Sequence, residues 1–151
     1  MTTNVLKLAA FSDGDHGGNP AGLWLGDYLP DEATMQRIAT ELGFSETAFA
    51  VPITDGFRVR YFSPVAEVPF CGHATIALGA ALAGQYGDGI FNLTLNEAQI
   101  SVEGHAQGDL ISAALQSPPT HSGPIDEALL HEALELFGYG QHDLDARIPP
   151  A

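Results

Sequence analysis

One stretch constrains this chain more than any other: EVPFCGHATIALGAAL, residues 67–82. From Ala74 to Ala83 it carries Ala, Leu, Gly, one Ile and one Thr, with no charge at any position. A helix lying on a protein surface shows a polar stripe, and this segment has none, so it predicts a helix buried on every side. The small residues Ala74, Ala77, Gly79, Ala80 and Ala81 would let strands approach closely, while Ile76, Leu78 and Leu82 supply volume. A helix over about 72–84 is roughly 20 Å long, a length that a small sheet can wrap. GQYGDG (84–89) then stops it.

The rest of the chain reads as strands and two more helices. VLKLAAF (5–11) alternates as a first strand, SDGDHGGNPAG (12–22) is turn chemistry throughout, and LWLGDYL resumes a short apolar run. Asp31 is placed to cap a helix carrying Met35, Ile38, Ala39 and Leu42 at helical spacing, with Gly43 as its stop. ETAFAVPI (46–53) and FRVRYFSP (57–64) flank an Asp55-Gly56 turn, as in a hairpin. In the second of these strands Phe57, Val59 and Tyr61 share one face, and Arg58 and Arg60 the other. Residues 90–96, 99–104 and 109–117 predict three further strands, and Pro118-Pro119 closes that run. A last helix over 125–137 aligns Ile125, Leu129, Ala133, Leu136 and Phe137, with Gly138 at its end. Seventeen glycines and ten prolines suit a chain of short, turn-linked strands. The expected class is α+β: a mostly antiparallel sheet around a central buried helix, with two outer helices. Residues 1–144 make one domain in this reading, and 145–151 a linker-like tail.

Charge narrows the possible partners. Nineteen acids against five bases give a net charge of −14, and Lys7, Arg37, Arg58, Arg60 and Arg147 are scattered. Nucleic acid and anionic membranes need clustered cations, so neither is expected. A small anion would be repelled at long range and must be held by local donors such as a helix N-terminus. No apolar run reaches the ~20 residues of a membrane span, and the first residues do not resemble a signal peptide. The single cysteine excludes an internal disulfide and points to a reducing, cytoplasmic setting.

Several residues are candidates for chemistry. Glu46, in GFSETAF, is either a solvated strand-end acid or a general base partly desolvated between Phe44 and Phe49. His73 is either a satisfied core histidine or a ligand contact at the mouth of the buried helix. In the second case the amides of Gly72, His73 and Ala74 face a carboxylate, and Thr75 adds a hydroxyl. Cys71 lines such a pocket, since a lone thiol cannot form a two-thiol pair within one chain. Asn19, in HGGNPAG, is by itself ordinary turn punctuation. The other histidines, at 16, 105, 121, 131 and 142, show no metal-ligand spacing, so no metal is expected. Neither a P-loop nor a dinucleotide fingerprint is present, and no cofactor is expected.

Taken in order, FSDGDHGGNPAGLWL, ELGFSETAFA, VRYFSPVAEVPFCGHATIALGAAL and LDARIPPA resemble the N-terminal half of the PhzF family. These phenazine-biosynthesis-type isomerases share the diaminopimelate epimerase fold. The resemblance implies cofactor-free proton shuttling on a small carboxylate, with Glu46 at the family's catalytic glutamate. It implies substrate contacts at Gly72 and His73 and, beside the same cleft, at Asn19. Cys71 falls where related amino-acid epimerases keep one of two catalytic thiols. Family members are about twice this long and place the site between two similar domains. The expected function is therefore an isomerase or epimerase domain completed by a second copy, as a homodimer, or by a separately encoded half. The alternative is an inactive half-length homologue that binds a small anion or dimerises.

Overall fold

A computed structural model describes residues 5–108 and 110–150. Asp109, the first residue of one predicted strand, lies outside the described residues, as do residues 1–4 and Ala151 at the end of the tail. The chain forms two compact units, 1–118 and 119–151.

In the first unit the elements run β1 (Val5–Asp13), β2 (His16–Leu25), α1 (Glu32–Leu42), β3 (Thr47–Ile53) and β4 (Gly56–Phe62). They continue with β5 (Glu67–Val68), α2 (Gly72–Tyr86), β6 (Gly89–Thr94), β7 (Gln99–Gln107) and β8 (Leu110–Gln116). All eight strands join one sheet in the order β1-β2-β3-β4-β6-β7-β8, with β5 paired to β4. Most pairings are antiparallel, but β2 runs parallel to β3 and β4 parallel to β6. Each parallel step follows a helix: α1 carries the chain from β2 to β3, and α2 from β4 and β5 to β6. A hairpin turn cannot join parallel neighbours, whereas a crossover helix can.

The glycine-rich stretch read as turn chemistry is largely β2, which corrects that expectation. The true turn is confined to residues 14 and 15. Pairing with β1 skips Phe11 and Gly18, both at positive φ, so the hairpin carries a local irregularity there. Pairing with β3 begins only at Gly22, which leaves one flank of Pro20 free of a strand and lets a proline sit in the sheet. Composition alone marks these residues as turn formers, and the neighbouring strand overrides it.

Helix α2 is the predicted central helix, two residues longer than expected and stopped at Gly87, where φ is +89°. Ile76 and Ala80 are only partly buried, so the helix is not enclosed on every side as the sequence suggests. It touches strands along the whole sheet, both edge strands β1 and β8 included. Leu78 and Leu82 are fully buried among Ala21, Leu23, Ala48, Val59, Leu93 and Val102. Close approach is literal at β7. A Cβ on Gly104 would stand 2.5 Å from the Gly79 carbonyl oxygen, and one on Gly79 would stand 2.4 Å from Val102 Cγ2.

Alternation along β3 and β4 sends successive side chains to opposite faces of the sheet. Ala48, Ala50, Val59 and Tyr61 pack with α2, while Phe49 and Phe62 pack with Met35, Ile38 and Ala39 of α1. Helix α1 is capped at Asp31, whose carboxylate accepts from the Thr34 amide, and ends at Gly43 in the left-handed region. Both ends match the sequence reading.

A charged cluster ties β5 in place. Arg60 donates through Nε and a terminal nitrogen to both carboxylate oxygens of Glu67, at 2.7 and 2.6 Å, and also to Glu32. Asn96 donates to the same Glu67, and Arg58 reaches Asn96 and the Thr94 carbonyl. The Arg60 hydrogen bond holds the Glu67 carboxyl below its ordinary range. Folding therefore favours the ionised form, and its stabilisation is lost as pH falls through the folded pKa. Glu67→Gln is expected to cost about 2 kcal/mol near neutral pH, the scale of hydrogen bonds to a charged group. Urea unfolding across a pH series should show wild type and variant converging as pH falls below the ordinary carboxylate range.

The second unit holds α3 (Glu127–Phe137), capped by Asp126 through the Ala128 and Leu129 amides and ended by left-handed Gly138. It starts two residues later than the sequence reading placed it. A single 3-10 turn (Gln141–Asp143) follows, and Arg147 pairs with Asp145.

Candidate active site

Two chain segments carry the titratable groups of the site. The first is the entry to β3. After Gly43 ends α1, Phe44, Ser45 and Glu46 lead into the strand, and the Glu46 carbonyl accepts a hydrogen bond from the Gly22 amide of β2. The second is the tip of α2. Strand β5 pairs Val68 with Tyr61 and Glu67 with Phe62, which anchors the chain just before Cys71.

Cys71 is the N-cap, in an extended conformation. Thr75 locks the first turn: its amide and its hydroxyl both donate to the Cys71 carbonyl, at 3.0 and 2.7 Å. The same hydroxyl lies 2.7 Å from the buried Tyr61 phenol. Burial pushes that phenol above its ordinary pKa, so it stays protonated. Thr75 is fully buried and its hydroxyl is committed to protein partners. It therefore shapes the helix tip from behind and does not offer the free ligand hydroxyl expected of it.

Thr75→Val would strand the Tyr61 hydroxyl without a partner and is expected to cost about 2 kcal/mol. Removing both hydroxyls in Tyr61→Phe/Thr75→Val should recover part of that loss, as a double-mutant cycle in urea would read.

Across these segments, side chains separated in sequence converge. His73 Nε2 stands 3.6 Å from Glu46 Oε2 and 3.4 Å from Ser45 Oγ. Its Nδ1 stands 3.1 Å from Cys71 Sγ. Ser45 Oγ also reaches the Asn19 side-chain oxygen, at 3.5 Å. The His73 and Glu46 side chains are 11% and 21% exposed. Both are thus largely shielded from water yet open enough to meet a ligand.

Burial pushes the Cys71 thiol up to about 11. The nearby Glu46 carboxylate acts in the same direction, and the Ala74 and His73 amides oppose it. Cys71 is therefore a neutral thiol at pH 7 and cannot serve as a resting thiolate base. A neutral S–H donating to Nδ1 leaves the Nε2 proton facing Glu46 and Ser45.

The structure brings together Asn19, Glu46, Cys71 and His73, with Gly72 and Ala74 supplying first-turn backbone. Ser45 was missed as a site residue, although it stands inside the SETAF motif. Its signal was adjacency to Glu46, and only the fold shows that its hydroxyl spans Asn19 and His73. Cavities among the described residues lie elsewhere, with linings that include none of these side chains. One, of about 390 Å³, is bounded by Ile53, Asp55, Asn92 and Gln99. The other, of about 190 Å³, is bounded by Asp27, Pro52, Gln85 and Tyr86.

Comparison with known proteins agrees with this architecture. The model of the phenazine biosynthesis-like protein family, PhzC-PhzF, matches residues 8–145. An uncharacterized isomerase of Escherichia coli K12 is 37% identical over 144 residues, covering 90% of this chain and 48% of that protein. A human phenazine biosynthesis-like domain-containing protein is 36% identical over 145 residues, covering 91% of this chain and 49% of its own. Among solved structures, a "predicted epimerase" from Pseudomonas aeruginosa superimposes with a TM-score of 0.83 over 94% of this chain and 52% of the other, at 24% identity. A PhzF-family protein from Enterococcus faecalis gives 0.60 at 32% identity, over 66% of this chain and 39% of the other. The chain spans about half or less of the length of the curated relatives it matches. Among the described residues, no helix is long and apolar enough to cross a membrane.

Proposed function

The chain belongs to the phenazine biosynthesis-like (PhzC-PhzF) family, and from that premise we propose that it is an isomerase domain moving a proton on a small carboxylate substrate without a cofactor. The observation that carries this reading is the 3.6 Å approach of Glu46 Oε2 to His73 Nε2 at the tip of α2. In this reading Glu46 takes a proton from carbon beside an electron-withdrawing unsaturated group and returns it elsewhere. His73 orients that carboxylate through its Nε2 proton and contacts the substrate. Asn19 and the backbone of Gly72, His73 and Ala74 hold the anionic end, which the acidic field of the protein would otherwise repel. Cys71 lines the pocket as a neutral thiol.

In this proposal a second chain, either another copy of this domain or a separately encoded half, supplies a wall facing the site. The setting we propose is cytoplasmic. Proton transfer depends on orientation and on exclusion of water, so one wall alone gives a slow catalyst. A second reading, favoured by the first-turn backbone at the tip of α2, is binding of a small anion, or dimerisation, without chemistry.

The deciding experiment incubates the protein in D2O with a panel of small unsaturated carboxylates and amino acids, followed by mass spectrometry. Deuterium gained at carbon supports the isomerase. Binding of a carboxylate with no deuterium gained from any panel member sinks it in favour of the second reading. Native mass in the same samples reads whether a discrete dimer accompanies exchange.

A further inference from the structure

Glu46, Cys71 and His73 offer a carboxylate oxygen, a sulfur and an imidazole nitrogen that all lie within 4.8 Å of one another, each side chain partly buried. A tetrahedral zinc ion with bonds of about 2.0–2.3 Å sets its ligand atoms roughly 3–4 Å apart. The spacing here is that of a loosely formed three-ligand site, which small side-chain rotations would close. We propose that this triad binds Zn²⁺, with the fourth position left to water or to an anionic ligand.

Four features support the assignment. The mixed S, N and O donors suit a borderline-soft divalent ion better than Mg²⁺ or Ca²⁺. Nδ1 of His73 lies 3.1 Å from the Cys71 sulfur and Nε2 lies 3.6 Å from Glu46 Oε2, so Cys71 and His73 can share one ion across the helix cap once the Glu46 carboxylate swings from Nε2 toward it. The opposite nitrogen, Nε2, then keeps its proton for Ser45 Oγ at 3.4 Å, the outer-shell contact that fixes a ligating imidazole. Finally, the net charge of −14, unfavourable for an anion, draws a divalent cation toward the protein.

On binding, the Cys71 S–H bond breaks, a sulfur–zinc bond forms, and the proton leaves to solvent. No redox change is involved. With Glu46 and the imidazole both engaged, zinc would silence the proton transfer proposed above. The metal site itself does not rest on that activity, and its test needs no substrate.

Co²⁺ titrated into the reduced, metal-free protein provides the readout, because Cys71 is the single cysteine of the chain and any thiolate-to-cobalt charge-transfer band must come from it. The expected result is a one-to-one band that Zn²⁺ displaces, that Cys71→Ser abolishes, and whose midpoint moves at least ~10-fold to higher metal in both His73→Gln and Glu46→Gln. Absence of the band in the wild-type protein overturns the proposal. So does a midpoint unchanged in either the His73 or the Glu46 variant, which would leave only a lone thiolate. If a variant fails to fold by circular dichroism, the unmodified protein still decides. Zn²⁺ should slow alkylation of Cys71 by iodoacetamide at least ~10-fold, and an unchanged rate overturns the site.

Discussion

Glu46→Gln is expected to abolish measurable exchange of substrate carbon-bound protons with solvent, a loss of about 10²–10⁴-fold, while leaving the fold intact. The amide fills nearly the same space and can still accept from His73 Nε2, so the 3.6 Å neighbourhood survives without a group able to take a proton. Binding should change little, because the anionic end of the ligand meets the helix tip and Asn19. The measurement is deuterium gain per unit time for the best carboxylate of the panel, paired with its dissociation constant. Exchange in Glu46→Gln as fast as in wild type removes Glu46 from the chemistry.

The largest stability effect is expected at the centre of α2. Leu78 is fully buried against both halves of the sheet, among residues from β2, β3, β4, β6 and β7. Leu78→Ala removes contacts to several strands at once, and the wrapped sheet cannot collapse onto the void, because its closest approach is already backbone on backbone at Gly79 and Gly104. A cost of about 3–5 kcal/mol is expected, at the upper end for such truncations. That is a large part of the 5–15 kcal/mol typical of a folded domain. Urea unfolding followed by circular dichroism reads it directly. Leu129→Ala, at an exposed position of α3, should differ from wild type by less than ~1 kcal/mol. Equal costs at the two positions would contradict the placement of α2 as the core of the first unit.

Much of this arrangement was legible from residue order. The uncharged run 74–83 pointed to the central helix, of which Ile76 and Ala80 are left only partly buried, and Asp31 and Gly43 marked the ends of α1 because capping is a local property. The face shared by Phe57, Val59 and Tyr61 followed from the two-residue period of a strand. Less legible was β2, whose glycines and Pro20 signal turns, and whose strand conformation depends on β1 lying alongside it. The parallel pairings were also hidden. They depend on where each crossover returns the chain, which no local pattern records.

Within the site, the motifs around Glu46 and Cys71–His73 were visible as separate segments, each with an ordinary reading of its own. What sequence determined was the identity of the chemical groups and the helix that carries half of them, because helix formation, capping and burial are written in neighbouring residues. What only tertiary structure decided was their meeting. The turn after α1 delivers Ser45 and Glu46 to within 3.4 and 3.6 Å of His73 Nε2, and the β2 hairpin brings Asn19 within reach. The β4 tyrosine draws Thr75 away from any ligand. Such contacts join residues 14 to 28 positions apart, and distances of that kind are fixed by how a sheet curls around its helix, not by any short stretch of the chain.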